Sequence, residues 1–494
     1  MEVESEAESV KWSEVSPVEV TSAMDDDESI DNGMEVEQPE ASSKSAKQVY
    51  IPGVSRALKE GEELDFDPGA YKIFYSFETK WSCLSFDFVR EDDPSTDLPL
   101  KCYIVAGTQA DKPKNNELTI MGLKNLNLLE DDDDESEDEL SDDDSDDDGD
   151  SKKEAIFHSV SVSHYGGVNR IKDDDDESED ELSDDDSDDD GDSKKEAIFH
   201  SVSVSHYGGV NRIKAQRLGD GTVCAVWNDI GKVQLWNLTN AVKECVNMST
   251  KGKEEKQIQE KPLFSYITKK EGFALDWSKL KQGDFASGDQ ARNIHIYRMH
   301  EGGTWVVDQR ALNSHSGSVE DVHWSPTEEG LLASCSCDGT IKLWDTRASP
   351  ADACVCTVEK AHSSDVNVIS WNSHEPLLVT GGDDAELRIW SLKTIQFGQP
   401  VARFKYHSGP ITSVEWMPQE STTFMASGED DQVTIWDIAV EPDSQESVEG
   451  VPPQLMFLHL GQKEVKEVHW HPLLNGLAAT TSLDGFNVFK TINV

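Results

Sequence analysis

Two series of aromatic residues recur along this 494-residue chain at nearly constant spacing. Trp277, Trp324, Trp371, Trp416 and Trp470 each close a short alternating run such as SVEDVHW, DVNVISW, PITSVEW or EVKEVHW, with gaps of 47, 47, 45 and 54 residues. A second series, Trp236, Tyr297, Trp344, Trp390, Trp436 and Phe489, ends later runs, and two of its gaps, Trp344 to Trp390 and Trp390 to Trp436, are both 46. Two independent markers at one period make each period one structural unit. Across 318–360 the unit reads as four short strands, SVEDVHWS, LLASCSCD, TIKLWDT and ACVCTVEK, split by turn residues.

A lone four-stranded sheet cannot bury both faces. Sheets of this size stacked radially about an axis bury one another and expose only short edges, so the expected fold is all-β, a seven-bladed β-propeller. The seven units begin near Cys83, Val210, Gly272, Ser318, Asp365, Pro410 and Val465, the first being built from CLSFDFV, LKCYIVAGTQA and NELTIMGLKNL. Asp338-Gly339 supplies a hairpin turn, and Asp384 and Asp430 stand at the same offset, six residues before Trp390 and Trp436.

Charge sets the second constraint. Acidic residues number 98 against 44 basic ones, a formal charge of −54. Glu130–Asp150 holds 16 acidic residues in 21, and Asp173–Asp192 holds 15 in 20. Such blocks repel themselves and bury no apolar surface, so disorder is expected there. The charge repels phosphate backbones, so direct nucleic-acid binding is not expected and a basic macromolecule is the natural partner. The residues assigned to contact such a client are Asp131, Asp132, Asp133, Asp134, Glu135, Asp142, Asp143, Asp144, Asp146, Asp147 and Asp148, together with Asp184, Asp185, Asp186, Asp188, Asp189 and Asp190. Ser136, Ser141, Ser145, Ser178, Ser183 and Ser187 each have an acidic residue three positions on, the pattern of acidophilic casein-kinase-type substrates. Phosphorylation would add about −1.5 to −2 charges per site.

Residues 1–48 are polar and acidic and read as a disordered tail. Residues 49–82 are expected to form a strand and a helix docked on the propeller. Asp67-Pro68 looks like an N-cap with proline at the first helical position, and Tyr71, Phe74 and Tyr75 follow at helical spacing. Ring closure is expected from Val49–Ile51 beside Phe486–Ile492. The propeller then occupies 83–494, interrupted by an acidic insertion at 129–196. Residues 131–172 and 173–214 are identical over 42 positions. Copies without any drift read as a recent tandem duplication or a gene-model error, not as a repeat fold. The second copy runs directly from His206–Lys214 into AQRLGDGTVCAVWNDIGKVQLWNL, so it is assigned the structural place. The acidic stretch Val440–Val451 is expected as a surface loop.

No window approaches 18 consecutive apolar residues, so no membrane-spanning helix is expected, and Met1–Val10 lacks the apolar core of a secretory signal. The eight cysteines are expected as reduced thiols. Cys335/Cys337 and Cys354/Cys356 read as packed strand residues, since CxxC is the commoner zinc spacing. Neither GxxxxGK[ST] nor HExxH occurs, and no enzyme, cofactor or metal is expected.

Trp344-Asp345 and Trp436-Asp437 carry the dipeptide of the WD-repeat family, which the chain resembles; Trp390-Ser391 is a near match. That resemblance implies a buried structural network at His315/Asp338/Trp344, His362/Asp384/Trp390 and His407/Asp430/Trp436, because a buried imidazole must find hydrogen-bond partners. Trp344-Asp345-Thr346-Arg347 resembles the WDxR box of receptors for cullin-type ubiquitin ligases, which makes Trp344, Asp345 and Arg347 the candidate ligase-adaptor contact and the substrate receptor the rival reading. Longer strings outside the repeat skeleton, EGEELDFDPGAY, YIVAGTQA, HYGGVNR, EGFALDWS and PPQLMFLHLGQKEVKEVHWHP, resemble the glutamate-rich WD-repeat proteins across about 49–494. This family is related to the histone-binding WD-repeat proteins of chromatin assembly. The resemblance implies a nuclear and nucleolar protein that binds core histones and escorts a basic large-subunit ribosomal protein in ribosome assembly. The N-terminus lacks the basic cluster that would serve nuclear import.

Overall fold

The computed structural model describes residues 52, 55, 67–91, 95–129, 197–248, 254–268, 270–441 and 450–493. The described residues form seven antiparallel sheets arranged as the blades of one propeller. The strand nearest the axis in each blade begins in turn at Cys83, Val210, Leu275, Val319, Val366, Ile411 and Glu467. Each of these inner strands packs beside that of the next blade, and Glu467–Trp470 packs beside Cys83–Phe88 to close the circle.

Alternation builds each blade. In Ile341–Asp345, Leu387–Ser391 and Val433–Asp437 every residue but the last is buried, as expected of strands covered on both faces. Close approach between blades is secured where one strand has no side chain. A Cβ at Gly288 would fall 2.5 Å from Cγ1 of Val319, the first residue of the next blade's inner strand.

The N-terminal expectation is corrected. Asp67 does cap a turn, its Oδ1 accepting the Gly69 N–H at 3.1 Å, but the turn is a single 3-10 stretch, Pro68–Ala70. Tyr71–Phe77 is a strand, not a helix. It pairs antiparallel with Gly485–Thr491 and so takes the edge expected for Val49–Ile51; 49–51 lie outside the described residues. The spacing of Tyr71, Phe74 and Tyr75 fits a helix, but YKIFYSF is rich in aromatics and carries Ile73, a composition that suits a half-buried edge strand. An open edge on the seventh sheet decides between them. Tyr71 and Ile73 are buried, and the Tyr71 hydroxyl lies 2.8 Å from Nδ1 of buried His459, whose Nε2 accepts from Asn487 Nδ2 at 3.0 Å. The closing blade thus joins strands from both ends of the propeller.

The second copy of the duplicated segment supplies Ile198–Ser205, the fourth strand of the first blade, and the start of Val210–Leu218. The chain after Lys232–Asn237 forms a helix, Thr239–Asn247, and a strand, Glu254–Ile258. That strand pairs parallel with Ile198–Ser205, adding a fifth strand to the first blade before the chain returns to the second. The helix buries Ala241 and Cys245 in the core shared by these two blades.

Candidate functional site

Three kinds of polar structure are held by this frame. The first is a relay in the fourth, fifth and sixth blades. His315 Nδ1 lies 3.0 Å from Asp338, His362 Nδ1 2.8 Å from Asp384 and His407 Nδ1 3.0 Å from Asp430. The imidazoles do not reach the indoles directly, as the sequence suggests they would; a hydroxyl stands between. Ser334 Oγ is 2.7 Å from His315 Nε2 and accepts the Trp344 indole N–H at 2.8 Å. Thr380 serves His362 and Trp390 at 2.8 and 2.9 Å, and Thr434 serves His407 and Trp436 at 2.9 and 2.7 Å. Burial would raise the Asp338 carboxyl, but hydrogen bonds from His315, Thr340 and the Ser316 N–H outweigh it and hold the group well below the carboxylate range. Asp384 and Asp430 are lowered by the same opposition, with His362 and His407 as the donors. Every member of the relay is satisfied, which suits structural work.

The second structure lines the axis. The residue before each tryptophan of the first series faces the neighbouring blade. Asp276 accepts the Trp324 N–H at 2.7 Å, His323 that of Trp371 at 2.8 Å, Ser370 that of Trp416 at 3.3 Å and Glu415 that of Trp470 at 2.8 Å. The indoles of Trp277, Trp324 and Trp470 donate to the carbonyls of Lys214, Asp276 and Glu415. At the closing seam the contacts become ionic. Glu467, 1% exposed, lies 2.6 Å from Arg212 Nη1, 3.1 Å from Lys214 Nζ and 3.1 Å from His469 Nε2. Its other oxygen accepts the Phe86 N–H at 2.9 Å. His469 Nδ1 lies 3.0 Å from Glu415. Burial and Lys214 both oppose protonation of His469, yet Glu415 and Glu467 prevail and raise it to about 9. Burial raises Asp276 to about 7 against the pull of Lys279. None of these axial groups is singled out by the sequence motifs above, although the polar residue before each tryptophan is a readable signal.

The third structure is the surface from which the acidic segments leave. All seventeen client-contact candidates and the six serine candidates lie within 130–196, outside the described residues. The described flanks are Leu126 and Ile198, so the insertion joins the third and fourth strands of its blade. The stretch from 438 to 454 makes the same connection in the sixth blade, with 442–449 outside the described residues. In a meander this connection always leaves from one face. Both acidic stretches therefore leave from the same face of the propeller.

Of the ligase-box residues, Trp344 is buried in its relay, while Arg347 is exposed and forks onto Asp345 at 2.8 and 3.0 Å. Cys335 is buried, and Cys337, Cys354 and Cys356 are half-buried; burial raises Cys356, and burial followed by Glu320 raises Cys337. Among the described residues no group of three or more His, Cys, Asp or Glu side chains is arranged to hold a metal ion.

Known proteins share these features. The family model of the histone-binding protein RBBP4, a component of the CAF1 complex, matches residues 61–127, and that of the "WD domain, G-beta repeat" matches 307–345, 353–391 and 398–437. The chain is 39% identical over 500 residues to Glutamate-rich WD repeat-containing protein 1 of Dictyostelium discoideum, covering 96% of this chain and 92% of that protein. It is 35% identical over 489 residues to Protein HEAT STRESS TOLERANT DWD 1 of Arabidopsis thaliana, covering 90% and 92%. Ribosome assembly protein rrb1 of Schizosaccharomyces pombe is 32% identical over 477 residues, covering 94% and 88%. With its blades, its relays and nine-tenths of its length aligned to such relatives, the chain belongs to the family of glutamate-rich WD-repeat proteins.

Proposed function

We propose that this chain is a non-enzymatic acidic escort for cationic proteins, core histones and a basic large-subunit ribosomal protein, working in the nucleus and nucleolus in ribosome biogenesis and chromatin assembly. The observation that carries the reading is the pair of acidic runs, 31 negative charges in two short stretches, inserted into one blade of a closed ring. Free histones and ribosomal proteins expose dense Lys/Arg surfaces that aggregate or seize nucleic acid. A tethered polyanion covers that surface and competes with phosphate. Its pull extends about 8 Å at physiological ionic strength, so binding is steeply salt-dependent. Charge gives on-rate more than selectivity, and the rigid ring supplies the shape. Support also comes from the match at 61–127 to a family named for histone binding, and from a relative named for ribosome assembly. Phosphorylation of the six serines would strengthen the grip.

Deleting 130–150 and 173–192 from the full chain tests this. Affinity for core histones at physiological salt is expected to fall at least tenfold, with a shallower dependence on salt; unchanged affinity would refute the escort mechanism. The ligase-receptor reading rests on the tetrapeptide alone, and the structure adds only that Arg347 is exposed and already paired with Asp345. Arg347→Ala is expected to leave histone binding intact.

A further inference from the structure

One relay in the ring is broken. Each indole or phenol of the second aromatic series has a hydroxyl partner in its own blade: Ser334 for Trp344, Thr380 for Trp390, Thr434 for Trp436 and Ser287 for the Tyr297 hydroxyl at 3.1 Å. Phe489 has no donor to satisfy. In the second blade the donor remains and the partner does not. Trp236 is 4% exposed, and its indole N–H has no acceptor among the described residues. The two positions that supply hydroxyls elsewhere, ten and two residues earlier, hold Val226 and Gln234. The Gln234 amide is engaged by His206 at 3.1 Å and by Ser265 at 2.8 Å.

Trp236 lines a half-open groove of about 310 Å³ between the first two blades, together with Lys114, Ser205, His206, Tyr207, Lys232, Gln234 and Pro262. Lys114 and Lys232 have no ion-pair partner among the described residues, although acidic residues far outnumber basic ones in this chain. Tyr207 presents 62% of its surface beside them. An orphaned buried donor costs about 1–3 kcal/mol, and two unpaired ammonium groups converge on the same space. One acceptor that answers all three is an oxyanion.

We infer that this groove binds the carboxylate or phosphate group of an acidic peptide side chain, with the Trp236 indole N–H as the buried donor and Lys114 and Lys232 as the charge partners. A peptide is favoured over a nucleic acid because one oxyanion on a short neutral peptide escapes the repulsion that a polyanion meets near a chain of charge −54. Charge-assisted hydrogen bonds of this kind are roughly twice as strong as neutral ones. The site is separate from the acidic runs and takes ligands of the opposite charge.

The test follows the indole N–H resonances of the full chain, deuterated and 15N-labelled at tryptophan, with Trp236→Phe assigning the peak. Three acetylated tripeptides, glycine flanking serine, aspartate or phosphoserine, are titrated at constant ionic strength. A saturable shift of the Trp236 peak with the aspartate or phosphoserine peptide, absent with serine, is expected, and the stronger of the two identifies carboxylate or phosphate as the natural group. The exposed-side variant Lys114→Gln/Lys232→Gln, which breaks no contact of the fold, is expected to weaken that binding at least tenfold. A peak unmoved by both anionic peptides, moved equally by serine, or indifferent to the lysine variant would overturn the assignment. So would a shift produced by a single-stranded RNA oligomer and by neither peptide.

Discussion

Replacing Glu467 with glutamine keeps the shape of the side chain and removes the one carboxylate that faces three cations at the seam. The contacts to Arg212, Lys214 and His469 span 2.6 to 3.1 Å, and Glu467 is 1% exposed. At 3 Å and an effective dielectric constant near 20, each pair attracts by about 5 kcal/mol before desolvation is counted. Desolvation of the carboxylate offsets much of this, and removing one partner of a buried ion pair costs about 3–5 kcal/mol. Urea unfolding at pH 7, followed by tryptophan fluorescence and far-UV circular dichroism, should therefore show a midpoint lower by about 1 M or more for a slope near 3 kcal/mol/M. The pH dependence supplies the sign. His469 sits at about 9 in the fold, above the ordinary value near 6.5. Its contribution is complete below pH 6.5 and is lost as pH rises through about 9, a span of about 3 kcal/mol. Glu467 is held well below its ordinary range by Lys214 and Arg212 despite burial, so its contribution is present at neutral pH and lost as pH falls. In Glu467→Gln the decline between pH 6.5 and 9 should flatten, because only Glu415 then holds the imidazolium. A cost under about 1 kcal/mol, or the same decline in both proteins, would refute the electrostatic account of the seam.

Thr380→Val keeps the volume but strips the hydroxyl between His362 and Trp390; leaving both donors unpaired should cost about 1–3 kcal/mol and move the Trp390 indole resonance. Tyr71→Phe should cost about 1–3 kcal/mol by orphaning the His459 ring at the closing strand, read as a lowered melting temperature and faster amide exchange in Gly485–Thr491. Gly288→Ala drives a methyl against Val319 and should cost about 1–3 kcal/mol in urea unfolding, whereas Gly302→Ala, where nothing lies within 4 Å, should test only the strain of its positive φ.

The blades were legible because their markers are local. A tryptophan closing each inner strand and another closing each third strand impose a period that survives substitution of the residues between. The closing strand was not legible, because aromatic spacing at Tyr71, Phe74 and Tyr75 fits two periodicities, and the edge that chooses between them is built about 400 residues later. The relay was half legible for a similar reason. His, Asp and Trp keep their offsets from blade to blade, but the hydroxyl does not: Ser334 and Thr380 stand ten residues before their tryptophans, whereas in the sixth blade that position is Ala426 and the hydroxyl comes from Thr434, two residues before Trp436. The two positions come from neighbouring strands, so one function moved across a hydrogen-bonded pair and left no fixed spacing to read.

The first blade shows how a ring can carry a long acidic insertion without opening. Between Leu126 and Ile198 lie 71 residues, and without one duplicated copy there would be 29. Loop-closure entropy grows only as the logarithm of length, so the extra 42 residues raise the cost of pairing Ile198–Ser205 by less than about 1 kcal/mol. The duplication is therefore tolerable for the fold whatever the insertion does. Self-repulsion of the added carboxylates is the larger burden, and the blade is braced on both sides against it. Outside, Glu254–Ile258 pairs along the returning strand, tying it to the second blade. Inside, Arg212 and Lys214 of the second blade reach past the first to Glu467 of the seventh, with the Phe86 N–H of the first blade held by the same carboxylate. The strongest ionic contact along the axis thus stands behind the one blade that bears the most charge, an arrangement that lets a stiff frame present a polyanion without being pulled apart by it.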